Sequence, residues 1–384
     1  MDCRPTIPVP IAAALAAIVF LGSAAAQDGT ALLQEETGAI QEETLAASPV
    51  TQFKGAGLGG RVDGLVWRGG IVLTSPSTIF GGLSSATFPG QEDRLVLVND
   101  RGFFVSGQLL YDEAGAPFGL VGVTIEPMKN SRGVELPWRF ARDAEAVDTI
   151  YRDGRPAAVR VGFENLTRVA DFDLVDSRPG GAAREIAIPQ WLTDARTNES
   201  IEALCIAPDA SPVAGSTLIV AENERTPEGN HRATLLGVRD KGDLAVTPID
   251  GVAPTDCAFL PNGDLLLLER GIAFFTFTMR LRRIPAADIR PGAVLGGEVV
   301  LNASGNDIDN MEALAVHAGP GGETRITIIS DNNFNEWERN LLLEFALPEA
   351  AASPAAPTAP EAAPAGQPTL PAEAPPLPAA PAGS

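Results

Sequence analysis

The chain is 384 residues long, carries a formal net charge of -21 and contains two histidines and three cysteines. So acidic a surface has no basic face with which to displace counterions from a phosphate backbone, which argues against a nucleic-acid partner. With two histidines, no G-x-S-x-G elbow and no H-E-x-x-H or C-x-x-C pattern, a Ser-His-Asp hydrolase is disfavoured and the usual zinc or dithiol signatures are absent.

The N-terminus reads as a secretion signal over residues 1–26. Arg4 supplies a thin positive region, residues 11–21 form an apolar stretch, and Ala24-Ala25-Ala26 gives an A-x-A cleavage pattern before Gln27. That stretch is too short for a transmembrane helix, and no later run is longer, so the expectation is an exported protein, periplasmic or secreted, without a transmembrane span. Cys3 precedes the apolar region and is not placed for lipid attachment. Residues 27–55 read as a flexible polar leader, in which Gln34-Glu35-Glu36-Thr37 is echoed by Gln41-Glu42-Glu43-Thr44. At the other end, 348–384 is almost wholly Ala, Pro, Glu and Gly and reads as a disordered tail, because it lacks apolar bulk to offset ordering entropy. Residues 56–347 remain for one large domain.

Within that domain a short unit recurs. Gly82-Leu83-Ser84 is followed by Leu95-Val96-Leu97-Val98-Asn99-Asp100. Clearer copies begin at Glu145-Ala146-Val147, Glu202-Ala203-Leu204 and Glu312-Ala313-Leu314, with leading acids 57 and then 110 residues apart. The second gap is two periods of about 55, and a further copy lies where that predicts, around Asp256-Cys257-Ala258 and on to Leu268-Glu269-Arg270. In each copy an apolar strand enters a Pro, Gly or Asp turn and a second apolar strand leaves it. Later strands are expected over 168–174, 233–238 and 274–281. The last copy ends after Leu341-Leu342-Leu343-Glu344-Phe345 with three strands, and residues 61–73 can supply the fourth and close a ring.

A repeat of this length made of strands and turns suits a four-stranded propeller blade. The expected fold is therefore an all-β propeller of five or six blades, with room for a sixth after Gly102 or Asn165. A β-sandwich is the runner-up, but it gives no reason for the period.

Two strands joined by a turn return to their starting edge, so leading and trailing acids of one unit share an end of the sheet. Asp100, Glu145, Glu164, Glu202, Glu222, Glu269, Glu312 and Asp331 form the candidate ring. Clustered carboxylates raise one another's pKa unless a cation sits among them, and hard oxygen donors favour Ca²⁺. The plain alternative is that blade-end acids cap turns. Cys205 and Cys257 survive signal cleavage and occupy opposite faces of equivalent strands, as facing positions on neighbouring blades require. Blades packed about 10 Å apart are too distant for a disulfide except where they converge at the axis, so the pairing stays open. His317 reads as structural, and His231 as a solvated residue of a polar loop.

Several phrases resemble the phytase-like family, labelled "esterase-like activity of phytase". They are Gly81-Gly82-Leu83-Ser84, Asn99-Asp100-Arg101-Gly102, Arg142-Asp143-Ala144-Glu145, Asn198-Glu199-Ser200-Ile201-Glu202-Ala203-Leu204, Leu268-Glu269-Arg270 and Ser330-Asp331-Asn332-Asn333-Phe334. The likeness spans roughly 60–347 with the motifs in order. Two departures are Ala146 after Glu145, where the family usually has Gly, and Ser85 after Ser84. The resemblance implies kinship with calcium-dependent β-propeller phytases, and hence metal-assisted hydrolysis of a small phosphorylated substrate. Arg101, Arg142 and Arg270, each beside a ring acid, would then clamp phosphate, or else steady the rim through salt bridges. No catalytic residue is assigned. The competing expectation is a non-catalytic, calcium-stabilised binding propeller of the cell envelope.

Overall fold

Each repeat folds as one antiparallel sheet in a computed structural model that describes residues 40–348 except 91–92, 138–140, 198–199 and 238–239. The signal segment, the leader before residue 40, Val238 and the tail from residue 349 lie outside the described residues. Blade 1 consists of Leu83–Thr87, Arg94–Asn99, Phe103–Tyr111 and Pro117–Pro127. Blade 2 consists of Ala144–Arg152, Arg155–Phe163, Arg168–Val175 and Arg178–Ile186. Blade 3 holds Ala203–Ile206, Thr217–Arg225, His231–Leu236 and Gly242–Val246. Blade 4 holds Ala253–Phe259, Leu265–Ala273, Thr276–Ile284 and Glu298–Ser304. Blade 5 takes Asn310–Ala318, Thr324–Asp331 and Asn340–Ala346 from the C-terminal side and Leu65–Thr74 from the N-terminal side.

The first-named strands of the five blades pack each against the next and close a ring. No sixth blade lies among the described residues: the stretches after Gly102 and Asn165 are the outer strands of blades 1 and 2. Blade 4 shows why the inner strands read as unbroken apolar runs. Leu265 and Leu267 pack between blades 3 and 4, while Leu266 and Leu268 pack between blades 4 and 5. The two-residue alternation of a strand thus serves two interfaces at once, each buried leucine contributing about 1.5–3 kcal/mol.

Closure by the N-terminal strand is explicit, since Leu65–Thr74 pairs antiparallel with Asn340–Ala346. Buried Trp67 lies 5.3 Å from the Phe53 ring and 5.1 Å from the Phe345 ring. The leader is not wholly loose. Ala46–Val50 pairs with the closing strand and Gln41–Glu43 with the outer edge of blade 1. These strands look like a polar leader because backbone bonds hold them to the rim while much of their side-chain surface stays exposed or half-exposed.

A buried polar network also joins blades 5 and 1. Glu344 accepts from Arg325 Nη1 at 2.6 Å and from the Tyr111 hydroxyl at 2.8 Å, and His317 Nε2 lies 3.2 Å away. Burial alone would push the Glu344 carboxyl up, but His317, Arg325 and Tyr111 hold it below its ordinary value. His317 also stacks on Phe88, ring centroids 3.8 Å apart, which makes it a structural residue.

Two further features fix the ring at its axis. Cys205 and Cys257 form a disulfide with a Cα–Cα distance of 5.7 Å, joining the inner strands of blades 3 and 4 where blades converge. Asp256 of blade 4 reaches across the channel, accepting from the Ser85 hydroxyl of blade 1 at 2.8 Å and the Leu314 amide of blade 5 at 2.8 Å. Ser85 in turn accepts from the Val147 amide of blade 2 at 3.0 Å. The channel is thereby crossed by hydrogen bonds beneath its mouth.

The strand expected over 274–281 begins at Thr276 instead. Phe274 and Phe275 form the hairpin turn, with φ of 51° and 63°.

Deletion of the chain through Thr74 would remove the closing strand, expose the edge of Asn340–Ala346 and strip the Phe345 ring of its two aromatic neighbours. The expected result in thermal melts is loss of the cooperative transition. A cooperative melt at the full-length midpoint would reject this closure.

Candidate functional site at the propeller mouth

A backbone irregularity repeated from blade to blade positions the acids. At the mouth end of the inner strands, Glu145, Glu312, Ser84 and Thr255 are each the extra residue at a register shift. A bulge of this kind leaves one residue unpaired and re-aims its side chain. In blade 3, Glu202 sits at the same place, just ahead of Ala203–Ile206. The same register defines the trailing position on each second strand. It falls on Asp100, Glu164, Glu222, Arg270 and Asp331.

These residues converge on a cavity of about 270 Å³ lined by Ser84, Asp100, Asp143, Glu145, Glu164, Glu202, Arg270, Glu312, Asp331 and Asn333. Six of the eight predicted acids are therefore brought together. Glu222 stands just outside the lining, yet its charge still raises the pKa of Glu202 and Glu312. Glu269 is not at the mouth. It lies one residue before the trailing position, so its side chain points to the other face, where it is fully buried against Arg282 Nη2 at 2.7 Å. Arg270 takes its place and bonds Glu312 Oε1 at 2.9 Å.

Arg270 is the one predicted arginine that lines the cavity. Arg101 stacks over the Phe334 ring, 3.3 Å from its centroid, and donates to Thr78 O at 2.9 Å. Arg142 Nε donates to Leu136 O at 2.8 Å, with the guanidinium 3.9 Å from Glu135. Both steady the rim. His231 is not a solvated loop residue but opens a strand, fully buried, with Nδ1 2.7 Å from Glu222 O. Burial, reinforced by Arg225, pushes its pKa down to about 4, so its ring is neutral at pH 7.

Asp143, Ser84 and Asn333 stand in the phrases that resemble the family, but the repeat does not mark them as site residues. The signal for Asp143 was its place two residues before Glu145, the same face in an extended chain. Oxygens of Asp143, Glu145 and Glu164 lie within 4.8 Å of one another. Asn165 donates its side-chain amide to Asp143, and Glu164 accepts the Ser200 amide and the Ile201 amide, the latter at 3.0 Å. Asp331 accepts the Asn333 amide at 2.7 Å. Asp100 Oδ1 is buried with no hydrogen-bond partner. Gly82, with φ of +61°, makes this packing possible, because a Cβ there would collide with Asp100 and the Phe334 ring.

Crowding governs the electrostatics. Burial pushes Glu145 and Glu202 well above the ordinary carboxylate range, and neighbouring acids add to it. Glu164 rises to about 10 through burial and the charges of Glu145 and Asp143. Asp100 rises to about 7 through burial and Asp331. Glu312 reaches about 7 by burial despite the pull of Arg270, and Asp331 reaches about 6 by burial against the Asn333 amide. Seven carboxylates facing one guanidinium hold protons or a cation; they do not all ionise alone. The donors are all hard oxygens, with one buried and unpartnered, which fits Ca²⁺.

A family model described as "Phytase-like: Esterase-like activity of phytase" matches residues 78–334. The chain belongs to the phytase-like family. The matched span runs from the entry to blade 1 through the mouth loop of blade 5, so it contains every lining residue of the cavity. No curated protein sequence matches this phytase-like chain. Among solved structures it is similar to the PQQ-bound aldose sugar dehydrogenase of Streptomyces coelicolor, at 11% identity and a TM-score of 0.38, covering 79% of this chain and 98% of that one. It is also similar to the β-propeller domain of Cps50 (Swd1) from Myceliophteria thermophila, at 9% identity and a TM-score of 0.36, covering 80% and 99%. Sqt1 of Saccharomyces cerevisiae matches at 16% identity and a TM-score of 0.31, covering 80% and 73%. At such scores the likeness bears on neither substrate nor cofactor. Among the described residues, no helix is long and apolar enough to cross a membrane.

The raised carboxyls of this phytase-like mouth make a pH prediction for protein in chelator. Asp100 and Glu312 at about 7 and Glu164 at about 10 keep protons in the native state that the unfolded chain has already lost. Stability then falls as pH rises through those values. His231, lowered to about 4, acts in the opposite sense but is spent above its unfolded pKa near 6.5. The melting midpoint should therefore drop between about pH 6.5 and 8.5. A midpoint level or rising over that interval would contradict the crowding.

Proposed function

We propose that this phytase-like propeller is an exported, calcium-assisted phosphomonoester hydrolase working at its acidic mouth. The observation that carries the reading is the concentration of seven carboxylates in one cavity, three of them with oxygens within 4.8 Å of one another. Asp143, Glu145 and Glu164 would hold the ion, with Asp100, Glu202, Glu312 and Asp331 around it. Bound there, Ca²⁺ supplies charge neutralisation for phosphate oxygens and lowers the pKa of a bound water.

This chain's own groups set the rest. Glu312 fixes the Arg270 guanidinium at the cavity wall, where its remaining N–H groups can orient a phosphate bidentately. The Asp256–Ser85 hydrogen bond crosses the channel below, so the mouth is the side from which a substrate would enter and leave. Export is supported by the signal pattern of residues 1–26, and a disulfide between Cys205 and Cys257 suits an oxidising compartment.

One observation favours a second reading, a calcium-stabilised binding propeller without catalysis: the guanidinium lining the mouth is already committed to Glu312. Phosphate release from phytate and from p-nitrophenyl phosphate, in Ca²⁺ and in chelator, separates the two. Hydrolysis should require Ca²⁺, and Arg270→Lys, which keeps the charge but loses the planar fork, should raise KM or lower kcat while Ca²⁺ affinity holds. No phosphate release under any metal condition, in a protein whose midpoint still rises with Ca²⁺, would replace the enzyme reading with the binding one.

A further inference from the structure

Among the described residues, the three aromatic residues more than nine-tenths exposed are Phe274 at 98%, Phe275 at 105% and Trp337 at 93%. All three stand on the mouth side. Phe274 is the fourth residue past Arg270 along the hairpin of blade 4, about 13 Å beyond the cavity at ~3.3 Å per residue, and Phe275 completes the turn. Trp337 belongs to the loop that follows Asp331 and Asn333 of blade 5, and Asn335 Oδ1 holds it there by accepting the Trp337 and Glu338 amides, each at 2.9 Å. Ile272, on the same hairpin, and Leu166, two residues past Glu164 on blade 2, are 63% and 48% exposed.

The turn itself works against these residues. Both central positions have positive φ, 51° and 63°, the type I′ geometry that favours Asn-Gly and disfavours bulky side chains. Neither local conformation nor burial rewards phenylalanine here, so its use lies outside the fold.

We infer that the mouth face docks on a zwitterionic phospholipid surface, with Phe274, Phe275 and Trp337 entering the headgroup layer. Separate apolar points on loops of different blades suit a planar, deformable surface, whereas a stable protein partner needs about 800 Å² of contiguous contact per side. Aromatic rings are the side chains that favour the membrane interface. Charge selects the lipid. A chain of net charge -21, with Glu336 and Glu338 flanking Trp337 on the rim, is repelled by anionic bilayers and matches the outward ammonium groups of zwitterionic headgroups. The inference stands apart from hydrolysis and from calcium.

Vesicle flotation tests it, using the full mature chain in chelator with phosphatidylcholine–phosphatidylethanolamine vesicles. The double variant Phe274→Asn, Phe275→Gly suits the turn better than the native pair, so it should fold at least as well. The native protein should float with the vesicles, the double variant should lose at least tenfold in binding with no fall in melting midpoint, and Trp337→Ser should lose less. Absence of vesicle binding, equal binding by the double variant, or preference for anionic vesicles would each overturn the inference. Self-association abolished by the double variant, without vesicle binding, would assign the rings to a second copy of the chain instead.

Discussion

Convergence of five inner strands on one axis is the constraint on which the rest of the structure depends. Because blades 1 to 5 close a ring, whatever each inner strand carries at its mouth end is forced into a common volume. Here the blades carry Glu145, Glu202 and Glu312 at leading positions and Asp100, Glu164 and Asp331 at trailing ones. Two like charges 4 Å apart cost about 4 kcal/mol at an effective dielectric of 20. The fold accepts such repulsion several times over within about 270 Å³, with Arg270 the one opposing charge in the lining. That imbalance is the physical argument for a cation at the mouth.

The rest of the ring resists relief of the repulsion by spreading. The Cys205–Cys257 bond ties blades 3 and 4, and the Asp256 carboxylate ties blade 4 to blades 1 and 5 across the axis. Within the last blade the strand Leu65–Thr74 closes the ring by a backbone ladder on Asn340–Ala346, and at the seam with the first blade Glu344 adds a buried network reaching Tyr111. Each device lies below or outside the mouth. The mouth is a crowded patch on a rigid frame, a suitable arrangement for a preorganised ion site.

Much of this was legible in the sequence because a propeller repeats its lengths. The period near 55 identified five units, and the three-stranded final unit announced closure by residues 61–73. In equivalent strands Cys205 and Cys257 are offset by one residue, which places the thiols on facing sides of neighbouring blades, and convergence at the axis brings them within bonding distance. Six acids of the mouth followed from their offsets. Failures came where periodicity lost parity or where the backbone carried the bonding. Glu269 misleads because blade 4 carries an arginine, Arg270, at the trailing position and its acid one residue earlier, where the side chain faces Arg282. Asp143 precedes its strand and so fell outside the repeated phrase. Strand Gln41–Glu43 is wholly polar and Ala46–Val50 offers only Ala47 and Val50 to the core, and their partners can be known only from the pairing. Phe274-Phe275 contains no turn former, so a hairpin tip read as strand.

Crowding at the mouth implies that its acids are gathered to hold a divalent cation rather than to cap turns. Titration calorimetry with Ca²⁺ on the native chain and on Glu145→Gln and Glu202→Gln tests this most directly, because the substitution removes charge with almost no change in volume. Measurable binding by the native protein and at least a tenfold loss of affinity in each variant are expected, with cooperative melting retained at saturating Ca²⁺. Unchanged Ca²⁺ affinity in both variants, or no binding by the native protein, would contradict it.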